Sequence, residues 1–318
     1  MTMEVAGKDS GLISVVIPTY NRAEFLRAAI ESVLAQTYPN FELLILDNCS
    51  PDHTPQVVAS FKDPRIRYVR HLCNIGPPAN WVYGISLAKG RYLSILGDDD
   101  RYRPDFLLHR VYPMAADPQI VIAFGSFEYW DGNSVIASHD ASNYSASHAL
   151  EGMNAIEAVI GAYFFGASLF RTSVIRAFWN RFCPFTKCDD EMIGILLARQ
   201  PGNRVVCLTE SDLLYRRHTA QDSTACMRAV AEAGGRMYRM LLEKETDRKV
   251  RWLLRRQLVR HWNRNGRQFW DLGDTDLSGR CFVEELKIDP FRPVTWLRLL
   301  RTFIVRPKPI QTQKYSNI

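Results

Sequence analysis

The sequence lacks any apolar run long enough to cross a bilayer. Its most apolar uncharged stretch, 158–170, is thirteen residues with two glycines, whereas a spanning helix needs roughly 20 apolar residues. The longer segment from His71 to Ala88 is broken by Asn74, Pro77, Pro78 and Asn80. The first thirty residues carry Glu4, Asp9 and polar breaks in place of a basic start followed by an apolar run, so no secretory signal is expected and the chain reads as cytoplasmic. The seven cysteines show no CxxC or Cys/His ligand spacing, which argues against a disulfide framework and a zinc site. No zinc-finger or basic-zipper spacing accompanies the basic residues, which weighs against nucleic acid as a partner.

What is present describes a globular protein. Of 318 residues 47% are hydrophobic and 23% charged, near the averages for soluble domains. The net charge of +6 is uneven: residues 1–227 hold 20 Lys+Arg against 24 Asp+Glu, and residues 228–318 hold 20 against 10, giving −4 and then +10. This asymmetry suggests two functional regions, and because the pattern is almost wholly helical from Arg228 on, the expected division is an amino-terminal tail over 1–12, a domain over 13–227 and a basic helical extension over 228–318.

Within the domain, strand and helix patterns alternate. Ile13–Ile17 is a continuous apolar run of the kind covered on both faces, and Pro18 ends it. Phe25, Leu26, Ala29, Ile30, Val33 and Leu34 then recur at helical spacing, and Phe41–Leu46 is a second strand. A weaker helix (54–61), a strand (66–69), a helix (79–88) and a strand (91–96) predict an α/β fold with a mostly parallel sheet. Beyond Pro104 a helix and the apolar run 120–127 follow, then Asp131-Gly132 as a hairpin signal and a polar stretch, 138–148, that reads as mobile. Ligands of open α/β sheets bind outside the carboxyl ends of the strands. Three polar clusters stand at such ends: Pro18-Thr19-Tyr20-Asn21, Asp47 to Asp52, and Gly97-Asp98-Asp99-Asp100.

Three consecutive aspartates repel one another unless a cation or strong donors neutralise them. A hard divalent ion, Mg²⁺ or Mn²⁺, binds through one or two carboxylates plus substrate phosphates, which points to a nucleoside diphosphate ligand. A solvated acidic turn capping the following helix is the plainer alternative. A glycine-rich phosphate loop is missing after the first strand, where Pro18-Thr19-Tyr20 stands, and this disfavours a nucleotidyltransferase.

The segments ISVVIPTYNR, LLILDNCSPD and AKGRYLSILGDDDRYRPDFL, in this order, resemble the nucleotide-sugar-binding half of the family 2 glycosyltransferases; CDDEMIGILLAR and YRRHTAQDST are similar to later family segments. The resemblance implies a GT-A-type, Rossmann-like, mostly parallel sheet flanked by helices, and an inverting, metal-dependent sugar transfer. It assigns the donor to Pro18, Tyr20, Asp47, Asp98 and His218, with Tyr20 beside the base, Asp47 accepting from it and Asp98 on the ribose. It assigns the metal to Asp99 and Asp100, and the general base to Asp190, with Asp189 and Glu191 as neighbours of the same chemistry. Many relatives carry an aspartate where Gly97 stands, which leaves the division of labour among the three aspartates open.

An ionised carboxylate only accepts hydrogen bonds, so Asp47 suits the imino N–H of uracil, thymine or guanine and not the bare ring nitrogen of cytosine. A UDP-sugar is favoured, a dTDP- or GDP-sugar fits, and a CMP-sugar does not. An Asx-turn is the structural alternative for Asp47, and turn formation is the favoured reading of Asp52. The expected acceptor is a glycan or a lipid-linked glycan of cell-surface polysaccharide assembly. The competing class is a non-catalytic nucleotide-sugar or glycan-binding protein, which predicts loss of one acidic cluster; both persist. Trp296, Leu297, Leu299, Leu300, Phe303 and Ile304 share one helical face opposite Arg298 and Arg301, the pattern of a helix in an anionic membrane interface. Val250, Leu253, Leu254, Leu258 and Trp262 form a second stripe among six arginines between 251 and 267. Packing of both stripes against protein is the alternative to peripheral membrane attachment.

Overall fold

The computed structural model describes residues 11–145, 148–181, 189–217 and 227–304, without the side chains of 179–181 and 189–191. The chain forms two compact units, Met1–Phe185 with Ile193–Arg217, and Thr186–Met192 with His218–Ile318.

The first unit is built on one mixed sheet. Its leading strands are β1 (Ile13–Thr19), β2 (Phe41–Asp47), β3 (Ile66–Arg70) and β4 (Tyr92–Ile95), joined through helices α1 (Ala23–Leu34), α2 (Thr54–Ala59) and α3 (Pro77–Leu87). These strands are mutually parallel in the order β3-β2-β1-β4. The apolar run of β1 is buried because both faces are covered. Ile13, Val15 and Ile17 join Leu26, Ala29, Ile30 and Val33 of α1 in the core, while α3 lies against Val16 and Leu46 on the other face. That approach requires glycine, since a Cβ at Gly84 would stand 2.6 Å from Leu46 Cδ1 and 2.7 Å from Val16 Cγ1.

After β4 the chain passes through Gly97–Asp100 into the two-residue β5 (Arg101–Tyr102), then α4 (Phe106–Ala116), β6 (Ile120–Trp130) and β7 (Val135–His139). β7 forms the expected hairpin on β6, with the Asp131 carboxylate accepting from the Asn133 and Ser134 amides. The polar stretch after it is anchored where described: Ala141 is buried, and its amide donates to Ser126 Oγ at 2.9 Å. The sheet departs from a purely parallel one. β9 (Ser168–Arg171) inserts antiparallel between β4 and β6, and the long β10 (Arg204–Arg216) runs parallel to β6. The short β8 (Leu150–Glu151), α5 (Gly152–Ala162), α6 (Thr172–Arg181) and α7 (Asp189–Ala198) complete the described elements of this part of the chain. Because β9 opposes both neighbours, β1, β2, β3, β4, β6 and β10 all end on the same edge.

The second unit is helical: α8 (Met227–Lys244), α9 (Arg248–Asp271), α10 (Thr275–Ile288) and α11 (Pro293–Ile304), each packed on the next. Asp247 and Asp274 cap α9 and α10 through their carboxylates. The two apolar stripes behave differently. Val250, Leu254, Leu258 and Trp262 are buried in α9. In α11 only Leu299 of the expected face turns inward, while Trp296, Leu297, Leu300, Phe303 and Ile304 are exposed. Among the described residues no helix is long and apolar enough to cross a membrane.

Candidate active site at the carboxyl edge of the sheet

The three polar clusters expected at strand ends meet at this edge, tied by hydrogen bonds. Thr19, the last residue of β1, donates from Oγ1 to Asp98 Oδ2 at 2.8 Å, and its carbonyl accepts the Asn48 amide at 2.9 Å. Asn21 has a left-handed backbone, φ 55°, and its amide donates to Ser50 Oγ at 3.0 Å. The Ala23 amide donates to Asp52 Oδ2 at 2.9 Å, while Asp52 Oδ1 accepts from the Thr54 amide and hydroxyl. Asp52 therefore starts two helices, and although burial works against it, these bonds hold its pKa below the usual carboxylate range.

In the acidic turn each aspartate faces a different element. Asp98 lies against β1, where it also accepts the Tyr20 amide. Asp99 Oδ2 receives Arg22 Nη1 at 2.7 Å, and the same nitrogen is 3.6 Å from Asp98 Oδ1. Asp100 Oδ1 accepts the Arg216 amide at 2.9 Å, which fastens the turn to the end of β10. A Cβ at Gly97 would stand 2.7 Å from Asp100 Oδ2 and 3.2 Å from Asp99 Oδ1, so a side chain there requires these carboxylates to shift. Burial, with the Asp99 charge second, pushes the Asp98 carboxyl up to about 7, and the same two causes raise Asp100.

The expected donor contacts are placed unequally. Tyr20 is 45% exposed at the crevice, and Pro18 is half-buried beside it. Asp47 is fully buried. Its Oδ1 accepts the Ser50 amide at 2.7 Å, and its Oδ2 accepts the Tyr68 hydroxyl with Arg70 Nε 3.3 Å away. Both oxygens are thus held by the protein itself in a turn-closing arrangement, and Tyr68 is shifted upward by burial and by this bond. Asp190 stands in the first turn of α7, but its side chain, like those of Asp189 and Glu191, lies outside the described residues, as does His218 altogether. Of the arginines preceding His218, Arg216 lies over Phe25 at 4.5 Å and Arg217 over Tyr129 at 4.5 Å.

Asp99 and Asp100 supply hard oxygen donors, and Arg22, close to both Asp98 and Asp99, shows that the negative charge of the turn converges on one point. That chemistry fits a Mg²⁺ or Mn²⁺ ion whose remaining ligands come from a diphosphate. Among the described residues no group of three or more His, Cys, Asp or Glu is arranged to hold a metal ion by itself. The sequence carried no reading of Arg22 or Tyr68, whereas Thr19 stood in the first strand-end cluster and Arg216 in the basic run before His218. The one signal for Arg22 was charge balance, since an acidic triplet calls for a nearby cation.

Comparison with known proteins agrees with this architecture. The family described as "Glycosyl transferase family 2" matches residues 14–179, just over half of the chain. The succinoglycan biosynthesis protein ExoO of Rhizobium meliloti is 37% identical over 124 residues, 39% of this chain and 36% of that protein, so the chain spans little more than a third of that relative's length. Residues 1–349 of TarS from S. aureus, solved in complex with UDP-GlcNAc, superimpose with a TM-score of 0.68 at 15% identity, covering 92% of this chain and 89% of that one. The mannosyltransferase PcManGT from Pyrobaculum calidifontis, in complex with GDP-Man and Mn²⁺, gives 0.56 at 15% identity over 96% and 83% of the two chains. The fold is therefore of the GT-A glycosyltransferase kind, with helices at the carboxyl terminus.

Proposed function

This chain belongs to the family 2 glycosyltransferases, and on that premise we propose that it moves a sugar from a nucleoside diphosphate sugar to a glycan or lipid-linked acceptor in cell-surface polysaccharide assembly. The observation that carries the reading is the buried acidic turn, Asp98 and Asp99 converging on one cation where β1, β2 and β4 end. The names of ExoO and of the TarS complex support the polysaccharide context and a UDP-sugar donor, and the PcManGT complex supports a divalent ion.

In this reading Tyr20 stacks beside the donor base, Asp98 holds the ribose, and Asp99 with Asp100 would hold Mn²⁺ or Mg²⁺. When bound, the ion supplies charge neutralisation of the departing diphosphate. A nucleoside diphosphate leaves as a stable anion, so no second carboxyl group is needed to protonate it, in contrast to glycoside hydrolysis. Asp190 is the base that takes the acceptor hydroxyl's proton as the oxygen attacks the anomeric carbon. Single displacement inverts that carbon. His218 is the residue assigned to the metal or the diphosphate. The fully enclosed Asp47 acts on the base pocket by fixing Tyr68 and Arg70. The exposed apolar face of α11 rests on an anionic membrane surface on the cytoplasmic side, where a lipid-linked acceptor is presented.

Purified protein incubated with a panel of UDP-, dTDP-, GDP- and CMP-sugars tests this reading. Release of free nucleotide is expected with Mn²⁺ and a UDP-, dTDP- or GDP-sugar if the Asp47 carboxylate also reaches the base, with at least one donor in any case, and not with chelator. Release with none of the donors, or equal release with chelator, refutes it.

A further inference from the structure

Arg22 stands on the carboxylates of the acidic turn. Its Nη1 sits 2.7 Å from Asp99 Oδ2 and 3.6 Å from Asp98 Oδ1, so it engages Asp99, which would hold the ion, and lies beside Asp98. Its backbone is set independently of the acidic turn. The Asn21 amide before it is held by Ser50, and the Ala23 amide after it by Asp52, both from the turn that follows β2. The arginine is therefore delivered to the aspartates by a rigid support, while its side chain has a flexible three-methylene stem.

A guanidinium and a divalent ion compete for the same carboxylate oxygens. Like charges a few ångströms apart in a poorly solvated site repel by several kcal/mol, even at an effective dielectric constant of about 20. We propose that Arg22 is a resident counter-cation: it offsets the charge of Asp98 and Asp99 in the donor-free protein, yields Asp99 to the incoming divalent ion, and swings onto the diphosphate that arrives with it. The exchange makes metal binding conditional on nucleotide. Metal alone must displace Arg22 into a site with no anion to receive it, whereas a metal-diphosphate complex brings that anion. Arg22 is thus a positioning residue for the ion and a contact for the donor, and the inference rests on the donor reading above.

The test measures Mn²⁺ binding directly, by the electron paramagnetic resonance signal of free Mn²⁺, with and without UDP. In Arg22→Gln, Mn²⁺ without nucleotide is expected to bind at least ~10-fold tighter than in the native protein, because a competing charge has gone. In the presence of UDP the same variant is expected to bind Mn²⁺ more weakly than the native protein. Arg22→Lys, which keeps a flexible cation, is expected to resemble the native protein without nucleotide, and it carries the test if the glutamine variant does not fold. A residue that only shapes the turn would shift both affinities in the same direction. Unchanged or weakened nucleotide-free binding in Arg22→Gln, or in Arg22→Lys a nucleotide-free affinity tighter by the same factor, overturns the counter-cation role while leaving the donor reading intact. Failure of the native protein to bind Mn²⁺ even with UDP or GDP refutes both.

Discussion

Asp212 of β10 holds a buried ion pair with Arg110 and also meets His109 Nδ1 at 2.9 Å, and replacing it with Asn should expose what the pair is worth. Arg110 of α4 is fully buried, and its Nη1 meets Asp212 Oδ2 at 2.9 Å. The same guanidinium donates from Nε to the Ala167 carbonyl at 3.0 Å and stacks 3.8 Å from the Phe106 ring centre, while its Nη2 is buried without a partner. Burial lowers the arginine's pKa, and the Asp212 charge is the largest opposing influence. Asp212→Asn keeps the shape and removes that charge, leaving a cation enclosed with neutral partners. Breaking a buried pair from one side costs ~3–5 kcal/mol. For a unit of about 200 residues, at roughly 2–4 °C per kcal/mol, this lowers the melting temperature by roughly 6–20 °C. The assay is thermal and urea unfolding followed by near-ultraviolet circular dichroism. The paired change Arg110→Met with Asp212→Leu should recover most of the loss, because both charges leave together. A single variant that melts within 2 °C of the native protein, or a double variant no better than the single, would show that the pair does not carry the charge balance argued for it.

The remaining expectations concern the site and the carboxyl-terminal unit. Asp99→Ala should nearly abolish sugar transfer at saturating donor, since the ion loses its anchor; full turnover in a coupled nucleotide-release assay would remove Asp99 from that role. Asp190→Asn should retain donor binding, seen by calorimetry, while transfer falls by ~10²–10⁴; normal transfer with a defect in Glu191→Gln instead would move the base by one residue. The Asp98 carboxyl, raised from 3.8 to about 7, favours the folded state in its protonated form, so its stabilising contribution is complete below about pH 4 and is lost as pH rises through 7. Metal-free Asp98→Asn should therefore lose less stability than the native protein between those values, and parallel melting curves across that range would contradict the buried-acid account. The native protein should sediment with anionic vesicles at low salt, and Leu300→Glu with Phe303→Glu should stay in the supernatant; native protein absent from the pellets of both anionic and neutral vesicles would leave α11 without a membrane role.

The parallel strands were legible because each is a short apolar run closed by turn residues. β1, β2 and β4 are buried on both faces, so composition alone marks them. β10 was not read as a strand, and its sequence explains why. Val205, Val206 and Cys207 are buried at its start, but Thr209 and Glu210 are exposed where its register against β6 shifts between Leu208 and Leu213. A bulge interrupts alternation in the middle of a thirteen-residue strand. β9 was hidden differently. Its four residues continue the apolar stretch that begins at Ala158, so periodicity could not separate them from the preceding helix.

At the site, residue types were legible and their directions were not. Asp47 and Asp98 both close a buried strand, and both are acidic, yet their carboxylates meet different company. Asp47 finds two donors of its own turn and strand layer, the Ser50 amide and the Tyr68 hydroxyl, with Arg70 beside them, so its charge is settled inside the fold. Asp98 finds Thr19 and the Tyr20 amide, but also a second carboxylate, with Arg22 Nη1 3.6 Å away. The difference comes from which strand is the neighbour. β2 lies beside β3, whose residues Tyr68 and Arg70 reach across to Asp47, whereas β4 is flanked by β1 and by the antiparallel β9, which ends at the opposite edge. The carboxylates of the acidic turn therefore crowd one another in a buried place, and mutual repulsion there is the condition under which an added cation is bound most strongly.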